Sequence, residues 1–425
     1  MKMSKKAVNR LQNLTLVLLT LSALALLTRI PLFSESWDER VHSLLSAAPE
    51  SNISSQTGDL SAVMPSLHLV STDNSEYGRH AQLYLPADSP NLVNILPLFR
   101  DALGSAANAA AVSDRAFQAS LASPSLFLSF SSALPVRVVA SWLGTEMDID
   151  QTIVTMALTT EENNSAALYL CSESGSIVRY TTALTATAIY DCVITVSPNG
   201  GSFAFESSHH ALRPYTVLVS QTNSYPDLYT AVPDGYSAYN LLTALDFNAH
   251  NNFRYFESNG TEVVRESPRT LHISPDGTVA YNGDGFADSR LYRVSPNGAE
   301  VTGNDALRAA MALATALTDG TDASPLRLHS MTGADGTWQI DFSYQAQGLP
   351  VLLPQDQPAL SVTISNNIIS SFTYRCRTYS PAETASSLLP PGMAAAIAAT
   401  YSRAGLTVCY TDSGEDLLTA RWLAD

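Results

Sequence analysis

The sequence predicts an α+β fold of several domains, and two kinds of pattern carry that prediction. Between residues 152 and 196, short β-branched and aromatic runs alternate with Gly, Ser and Asn turns, as antiparallel strands do. After residue 300, amphipathic helical segments stand between strands of alternating apolar residues. The 425 residues are 45% hydrophobic and 15% charged, the composition of globular domains. We therefore expect an N-terminal transmembrane helix followed by a multi-domain part with antiparallel sheets and packed helices.

The N-terminus has the pattern of an export signal. An uncharged run follows a basic start, and its strongly apolar part is Leu14–Leu27. Basic flanks stay on the cytoplasmic side of a membrane. We therefore expect a single-pass cell-membrane protein with a cytoplasmic N-terminus and the bulk of the chain outside the cytoplasm. The basic residues are Lys2, Lys5, Lys6 and Arg10, and these three lysines are the only lysines in the chain.

The apolar run is short for a membrane span. Leu14–Leu27 gives about 21 Å of helix, less than the roughly 30 Å of the hydrocarbon core. Extension through Phe33 reaches the required length, with the guanidinium of Arg29 at the interface. The alternative is a removed signal peptide cleaved after Ala23-Leu24-Ala25. Because apolar residues continue past that site, we predict an uncleaved anchor at residues 1–33.

Charge and residue usage exclude several classes of function. All 39 acidic residues but only 18 of the arginines follow Arg29, so the predicted extracytoplasmic part has a net charge of −21. Such a surface repels phosphate backbones, and we expect no nucleic-acid partner. Without a lysine in that part there is no phosphate-loop, Schiff-base or Ser-x-x-Lys lysine.

The four cysteines are not arranged as a metal or redox motif. None stands in a C-x-x-C pair, so the sequence contains neither a zinc ribbon nor a thioredoxin-like site. In an oxidising compartment the local pairs Cys171–Cys192 and Cys376–Cys409 are one arrangement, and buried free thiols are the other.

Residues 34–145 are predicted to form an N-terminal mixed domain. A short helix at Trp37–Ser46 leads into a polar tether. Ser89-Pro90 is a helix start, with the helix running through Leu96–Leu103, and Ser113-Asp114 caps a second helix. The β-rich runs Ser125–Ser131 and Val136–Leu143 are predicted as strands.

Residues 146–235 are predicted to form a central β-rich domain. Ser174-Gly175 has the composition of a hairpin turn, and Pro233-Asp234-Gly235 marks the end of the domain. The predicted strands are Thr152–Leu158, Ala166–Cys171, Ser176–Thr181 and Ala188–Val196.

Residues 236–425 are predicted to form a C-terminal α+β domain. Asn304 is expected to cap a helix that runs to Thr318 and ends at Gly320, with one apolar face. That face contains Leu307, Met311, Ala314 and Leu317. The remaining predicted elements are strands Trp338–Gln345, Ala359–Ser365 and Ile368–Tyr374, a helix Pro391–Arg403 and a strand Leu406–Tyr410.

Three Ser-Pro-(Asn/Asp)-Gly segments are predicted to be hairpin turns. They are Ser197–Gly200, Ser274–Gly277 and Ser295–Gly298, at intervals that do not match a propeller repeat. The polar loop Asn282–Asp288 lacks the coordinating residues of a calcium loop, because Phe286 occupies a ligand position.

No catalytic motif stands out. The sequence contains no H-E-x-x-H and no G-x-S-x-G, and the adjacent His209 and His210 point to different sides of a strand. A Ser-His-Asp triad stays open, because triads are assembled from distant residues. We predict a protein that is not an enzyme, with no metal and no cofactor.

The apolar helix is the remaining functional candidate. Small side chains let two helices approach closely in lipid, and such residues stand in this run. The predicted partner-binding residues are Leu14, Leu18, Ser22, Ala23 and Ala25. The alternative is a helix that only tethers the domains.

Residues 239–380 resemble a known family. Tyr239–Asn282 contains a short "LL…LDFN" helix, then "YFESNGTEVVRE" and "TLHISPDGTVAY". Trp338–Ser380 contains "Y-x-x-x-x-G-L-P-V", an alternating strand and "I-I-S-S-F". These segments resemble the last domain of the YycH/YycI family of membrane-anchored regulators, and the N-terminal anchor fits the same arrangement.

The resemblance implies a bitopic protein that associates with a sensor histidine kinase of a cell-wall two-component system and with a sister YycH/YycI-type protein. It implies regulation through transmembrane and outer-domain contacts, and it brings no catalytic residues. An exported module that binds cell-wall glycan or peptide, with aromatics such as Trp142 or Trp338 in a groove, is the alternative function. An exported hydrolase would require a nucleophile, a base and an orienting carboxylate within hydrogen-bond reach.

Overall fold

Antiparallel sheets joined by helices make up the part of the chain that the structure describes. This computed structural model describes residue 60 and residues 63–73, 78–86, 88–207, 211–219, 224–233, 238–250, 253–283, 291–295, 300–334, 336–401 and 403–424. The α+β class with antiparallel sheets is confirmed. The predicted helix at Trp37–Ser46 and the apolar run Leu14–Leu27 lie outside the described residues.

The first sheet has seven antiparallel strands in the order β2-β1-β4-β5-β6-β7-β3. Its central strands are buried on both faces, as continuous apolar runs such as Ala166–Cys171 predict. One face packs into the main core, and the other contacts Phe117, Phe203 and Val217. The strands are β1 (Leu67–Thr72), β2 (Arg79–Leu85), β3 (Ala107–Val112), β4 (Ser125–Pro135), β5 (Thr152–Thr160), β6 (Ser165–Cys171) and β7 (Ile177–Thr185).

Four helices accompany this sheet: α1 (Leu96–Gly104), α2 (Asp114–Ser120), α3 (Val136–Leu143) and α4 (Ala186–Val193). The predicted cap of α2 is confirmed, because the hydroxyl of Ser113 accepts from the N–H of Ala116. The prediction for α1 is wrong at its start: Ser89 caps a separate 3-10 turn, Pro90–Leu92, and α1 begins at Leu96 without a side-chain cap. The Ser174-Gly175 hairpin turn between β6 and β7 is confirmed as well, with Gly175 at a φ of 83°.

Two predicted strands are helices. Val136–Leu143 forms α3, and most of Ala188–Val196 belongs to α4. In α4 the buried residues Ile189 and Val193 lie four positions apart, on one helical face. In α3 Val136, Val139 and Ala140 share one face, and Val138 is buried as well. Pro135 precedes α3 and Gly144, at a φ of 80°, ends it. A β-branched run of eight residues is compatible with the two-residue period of a strand and with the 3.6-residue period of a helix. Packing against the sheet favours the helix here.

The first sheet extends across a predicted domain boundary. Strand β4 lies before residue 145 and β5 after it, and the two pair from Ser125 opposite Thr159 to Pro135 opposite Thr152. Strand β3 also comes from the first segment and pairs with β7 of the second. The division into domains at residues 145 and 235 otherwise stays a prediction.

The turn Ser197–Gly200 is not a hairpin turn, which corrects that prediction. It follows α4 and binds the outer edge of β2: the side chain of Asn199 exchanges two hydrogen bonds with the backbone of Ala81 at 2.9 and 2.8 Å. Two short strands follow, β8 (Ser202–Phe203) and β9 (Val217–Leu218), and they pair with each other.

The second large sheet has eleven strands in the order β11-β12-β13-β14-β19-β18-β16-β17-β21-β23, with β15 also on β16. A separate sheet has the order β20-β10-β22. The strands are β10 (Ser224–Ala231), β11 (Arg254–Phe256), β12 (Glu262–Glu266), β13 (Arg269–Ile273), β14 (Thr278–Gly283), β15 (Leu326–Ala334), β16 (Thr337–Ala346), β17 (Leu349–Leu352), β18 (Leu360–Ser365), β19 (Ile368–Arg375), β20 (Thr378–Ser387), β21 (Thr407–Thr411), β22 (Leu417–Leu418) and β23 (Ala420–Leu423).

Three helices belong to the C-terminal part: α5 (Ala238–Ala244), α6 (Gly303–Thr318) and α7 (Pro391–Thr400). The cap of α6 is Thr302 and not Asn304, because a reciprocal capping box with Asp305 satisfies the first turn. The predicted strands at β16, β18, β19 and β21 are confirmed.

Of the two remaining Ser-Pro-(Asn/Asp)-Gly segments, one is confirmed as a hairpin turn. Ser274–Gly277 is the hairpin turn between β13 and β14, where the N–H of Ser274 donates to the carbonyl of Thr278. Most of Ser295–Gly298 lies outside the described residues. Strand β23, which follows the predicted last strand, was not predicted.

Tyr84 connects the first sheet to the second. Its hydroxyl accepts a hydrogen bond of 2.7 Å from the N–H of Val408, and its φ is 55°, unusual for a bulky residue. Its backbone carbonyl lies beside Gly348, where a Cβ would stand 3.3 Å away. The two sheets therefore meet through close backbone contacts at this tyrosine.

The substitution Tyr84→Phe is expected to lower the free energy of unfolding by about 1–3 kcal/mol, because it leaves the N–H of Val408 without its acceptor. Urea denaturation measures this loss. Tyr229→Phe, which removes an exposed hydroxyl, serves as the control and should change stability by less than about 0.5 kcal/mol. Equal effects of the two substitutions would contradict the role of Tyr84.

Candidate interaction surfaces

The cysteines are not activated nucleophiles. All four are free thiols, so neither predicted pairing is formed. Burial, with a further contribution from Asp114, raises the pKa of Cys171 to about 12, and burial also raises the pKa values of Cys376 and Cys409. Because the thiolate is the reactive form, these side chains act as small apolar groups of the core.

A buried carboxylate near the C-terminus is part of a structural network. Asp412 accepts a hydrogen bond of 2.9 Å from the hydroxyl of Tyr379 and lies 4.0 Å from the guanidinium of Arg377. Burial first and Asp412 second raise the pKa of Tyr379 above its ordinary value. A neutral tyrosine that donates to a carboxylate holds β20 against the segment after β21, and it offers no base for catalysis.

The histidines do not assemble a metal site in the described part of the chain. His68 packs edge-on against Tyr84, and Nδ1 of His80 lies 3.1 Å from the carbonyl of Ser197. Among the described residues no group of three or more His, Cys, Asp or Glu is placed to hold a metal ion. His209, His210 and most of Asn282–Asp288 lie outside those residues.

The predicted partner-binding residues of the anchor also lie outside the described part. They are Leu14, Leu18, Ser22, Ala23 and Ala25, and their role stays a prediction. Within the described ranges, no helix has both the length and the apolar character that a membrane crossing requires.

Helix α7 has an exposed apolar face. Met393, Ile397 and Tyr401, spaced four residues apart, are 56%, 48% and 73% exposed. The opposite face consists of buried alanines, and Ala395 and Ala398 pack in one cluster with Ala204, Leu212 and Leu218 of β9. A helix that is apolar on all sides is usually buried, so this face is a candidate contact surface.

A second exposed apolar cluster lies at the edge strand β11. Phe253 and Phe256 are more than two-thirds exposed, and Tyr255 lies under the guanidinium of Arg265 at 5.9 Å. Tyr239 of α5 is also exposed and contacts the ring of His250. Exposed aromatic clusters of this kind occur where proteins bind other proteins.

The two tryptophans proposed for a ligand groove are packing residues. The indole N–H of Trp338 donates to the carbonyl of Val301 at 3.1 Å, and its ring covers Gly303 and Gly333, where a Cβ would come within 3.1 and 2.5 Å of it. Trp142 on α3 packs against the main core. Both tryptophans are half-buried.

The sequence around α7 already indicates that this helix has an unusual surface. Residues 384–402 contain no charged side chain, although α7 lies at the surface. An uncharged surface helix with large apolar residues at positions i, i+4 and i+8 predicts a covered face. The signal for the β11 cluster was weaker, because short aromatic runs are equally common in buried strands.

Comparison with solved structures finds a similar fold in the crystal structure of YycH from Bacillus subtilis. The TM-score is 0.55 at 12% sequence identity, and the likeness covers 86% of this chain and 94% of that chain. No family model and no curated protein matches the sequence. The chain therefore has a YycH-like fold, which confirms the fold that the sequence resemblance implied.

Proposed function

From its YycH-like fold, we propose that this chain is a membrane-anchored, non-enzymatic regulator of a sensor histidine kinase that controls cell-wall homeostasis. The observation that carries the proposal is the extent of the likeness, which includes 94% of YycH and not one module of it. The family resemblance of residues 239–380 points in the same direction. A sister protein of the YycH/YycI type is the second proposed partner.

The chemistry of the described part supports a binding role. Its buried thiols and phenols have raised pKa values because burial disfavours their charged forms. An enzyme tunes such groups the other way, toward a reactive form near neutral pH. The exposed apolar residues of α7 and β11, in contrast, have the chemistry of protein contacts.

The proposed mechanism is a population shift. The anchor helix packs against the transmembrane helices of the kinase through its small residues, and the kinase exists in at least two helix packings. A contact between the α7 face and an extracytoplasmic partner changes the packing of the anchor helix against the kinase helices. A regulator of this kind acts only through its different affinities for the two packings.

Co-purification from native membranes tests this function. The intact chain is expected to recover a sensor histidine kinase, and a variant with Leu14–Leu27 scrambled at constant hydrophobicity is expected to recover at least about tenfold less. Scrambling keeps the membrane affinity and removes the pattern of small residues. The readout is identification of the recovered kinase by mass spectrometry.

A second variant distinguishes a contact made by the anchor helix from a contact made by the extracytoplasmic part. Met393→Gln with Ile397→Gln changes only exposed side chains of α7, so the fold should stay intact. Loss of the kinase with this variant and not with the scrambled anchor would place the contact outside the membrane. Recovery of no kinase by the intact chain would overturn the proposal and leave the wall-binding module as the leading function.

A further inference from the structure

We propose that the outer edge of β3 binds an extended segment of another protein, a segment that carries Lys or Arg side chains between apolar residues. The bound segment would add an eighth strand to the first sheet, with its basic side chains in the acidic cavity beside the edge. This proposal is independent of the proposed regulatory function, because it specifies only the chemistry of the bound segment.

The edge presents unused backbone groups. Ser172 donates its N–H to the carbonyl of Ser176 at the β6–β7 hairpin, which fixes the alternation along β7. Residues 177 and 179 therefore direct their backbone groups toward β3, where they pair with Val112 and Ala110. The backbone N–H of Ala111 consequently points away from the sheet, and among the described residues nothing pairs with it.

The side chains of β3 do not protect this edge. The strand reads Ala-Asn-Ala-Ala-Ala-Val and five of its six residues are exposed. It contains no charge and no proline, which are the usual devices against unwanted pairing. The register with β7 shifts between Ala107 and Ala110, where Asn108 has a φ of 52°, so the regular part of this edge is Ala110–Val112.

Other sheet edges of the described chain are protected or short. Asn199 binds the outer side of β2. The outer side of β15 is occupied where the N–H of Leu328 donates to the carbonyl of Val63, and β20 carries Pro381 and Glu383. The terminal strands β11 and β23 have only three and four residues. Strand β3, with six residues and neither charge nor proline, is therefore the longest unprotected edge among these strands.

A cavity of about 390 Å³ opens beside this edge. Apolar side chains such as Leu103 and Ile149 line it together with the carboxylates of Glu146 and Asp148, and the first half of β3 forms one side of it. Residues 145–150 alternate in exposure, so that the apolar side chains face inward and the acidic ones face solvent. A lining that combines apolar side chains with carboxylates suits a lysine or arginine, whose stem is apolar and whose end is charged.

The acidic residues beside the cavity favour a basic partner. Of the two carboxylates that line the cavity, Asp148 is 2.6 Å from Arg137, whereas Glu146 has no cation within ion-pair distance in the described part of the chain. The exposed Asp150 follows the lining residues in sequence and adds to the negative charge beside the edge. Pairing between two copies of this chain would bring two acidic rims together, at a cost from like-charge repulsion. A basic segment removes this repulsion, and the charge therefore favours a basic partner over a second copy.

Binding of a peptide to the full-length chain in detergent tests the site. The probe is a labelled ten-residue peptide of alternating valine and lysine, and the control peptide alternates valine and glutamate. The lysine peptide is expected to bind and the glutamate peptide not to bind, with fluorescence anisotropy as the readout. Failure of the lysine peptide to bind would overturn the proposal.

Backbone pairing is tested with Ala111→Pro. Proline removes only the outward N–H and is tolerated on an edge strand, so the fold should persist, as circular dichroism will show. We expect peptide affinity to fall at least about tenfold, since the outward donor is lost and the proline ring blocks the close approach of a paired strand. Ala111→Val keeps the amide and is the matched control. Equal affinities for the proline and valine variants would overturn strand addition.

The acidic rim is tested with Glu146→Gln combined with Asp150→Asn. Affinity is expected to fall at least about fivefold and to depend less on salt. The control is Glu383→Gln with Glu415→Gln, which removes two exposed charges far along the sequence. Equal losses in both double variants would indicate attraction by net charge and would overturn the site. A dimer of the chain that Ala111→Pro dissociates would identify a second copy as the occupant and would likewise overturn it.

Discussion

Replacement of Arg269 by methionine is expected to lower the free energy of unfolding by about 3–5 kcal/mol, the usual cost of removing one partner of a buried ion pair. Arg269 is 6% exposed, although it stands at the beginning of a strand. Its guanidinium donates to Glu266 and to the backbone carbonyl of Asp246, both at 2.6 Å, and lies 4.3 Å from the ring centre of Phe247.

The size of this effect follows from what the arginine connects. Asp246 and Phe247 belong to the segment after α5, and Glu266 ends β12. Methionine fills much of the volume but provides no hydrogen bonds, so the carboxylate of Glu266 is left in a largely buried position without its cation. The packing of the segment after α5 against the second large sheet should therefore be weakened.

Urea denaturation of Arg269→Met and of the double variant Arg269→Met with Glu266→Gln measures this coupling. The double variant is expected to lose less stability than the single one, because the glutamine carries no charge and still accepts from the N–H of Asn248. A loss below about 1 kcal/mol in the single variant would show that the ion pair is not important for stability.

Acidification from pH 6.5 to pH 4 is expected to remove about 2–3 kcal/mol of stability through His68 alone. Burial lowers the pKa of this imidazole from 6.5 to about 4. Below pH 6.5 the unfolded chain therefore binds a proton that the folded chain does not, and stability falls by up to about 1.4 kcal/mol per pH unit until the folded pKa is reached. Above pH 6.5 the contribution is fully present.

The difference between the wild type and His68→Gln isolates this contribution from the titration of the carboxylates. The glutamine variant should have a smaller loss of stability across this range, while the two proteins should respond equally to pH above 7. Direct titration of the His68 ring by NMR gives the pKa itself. A folded-state value near 6.5 would contradict the prediction, since an accessible imidazole contributes nothing to the pH dependence.

The sequence resemblance anticipated the fold better than individual runs anticipated their elements. Hairpins such as β6–β7 and β13–β14 follow from glycine at a positive φ, and α6 follows from its apolar face and capping residues. The run at 136–143 was assigned wrongly, because its valines favour a strand by local propensity, whereas the complete protein places four of its residues in the core as a helix. The candidate surfaces were also poorly predicted, since exposure depends on packing.

The sequence by itself determined the α+β class, the positions of strands such as β5, β6 and β16, the apolar face of α6 and the basic, apolar N-terminal pattern, because turn chemistry, periodicity and charge are local properties. Only the tertiary structure decided that β3 lies beside β7 at a sheet edge, that Arg269 is buried, that packing around His68 lowers its pKa, and that one face of α7 is left exposed. These features arise from contacts between residues far apart in the chain. Composition and spacing do not specify such contacts, because the same alternating strand can pair at an edge or in the middle of a sheet with little change in its own pattern.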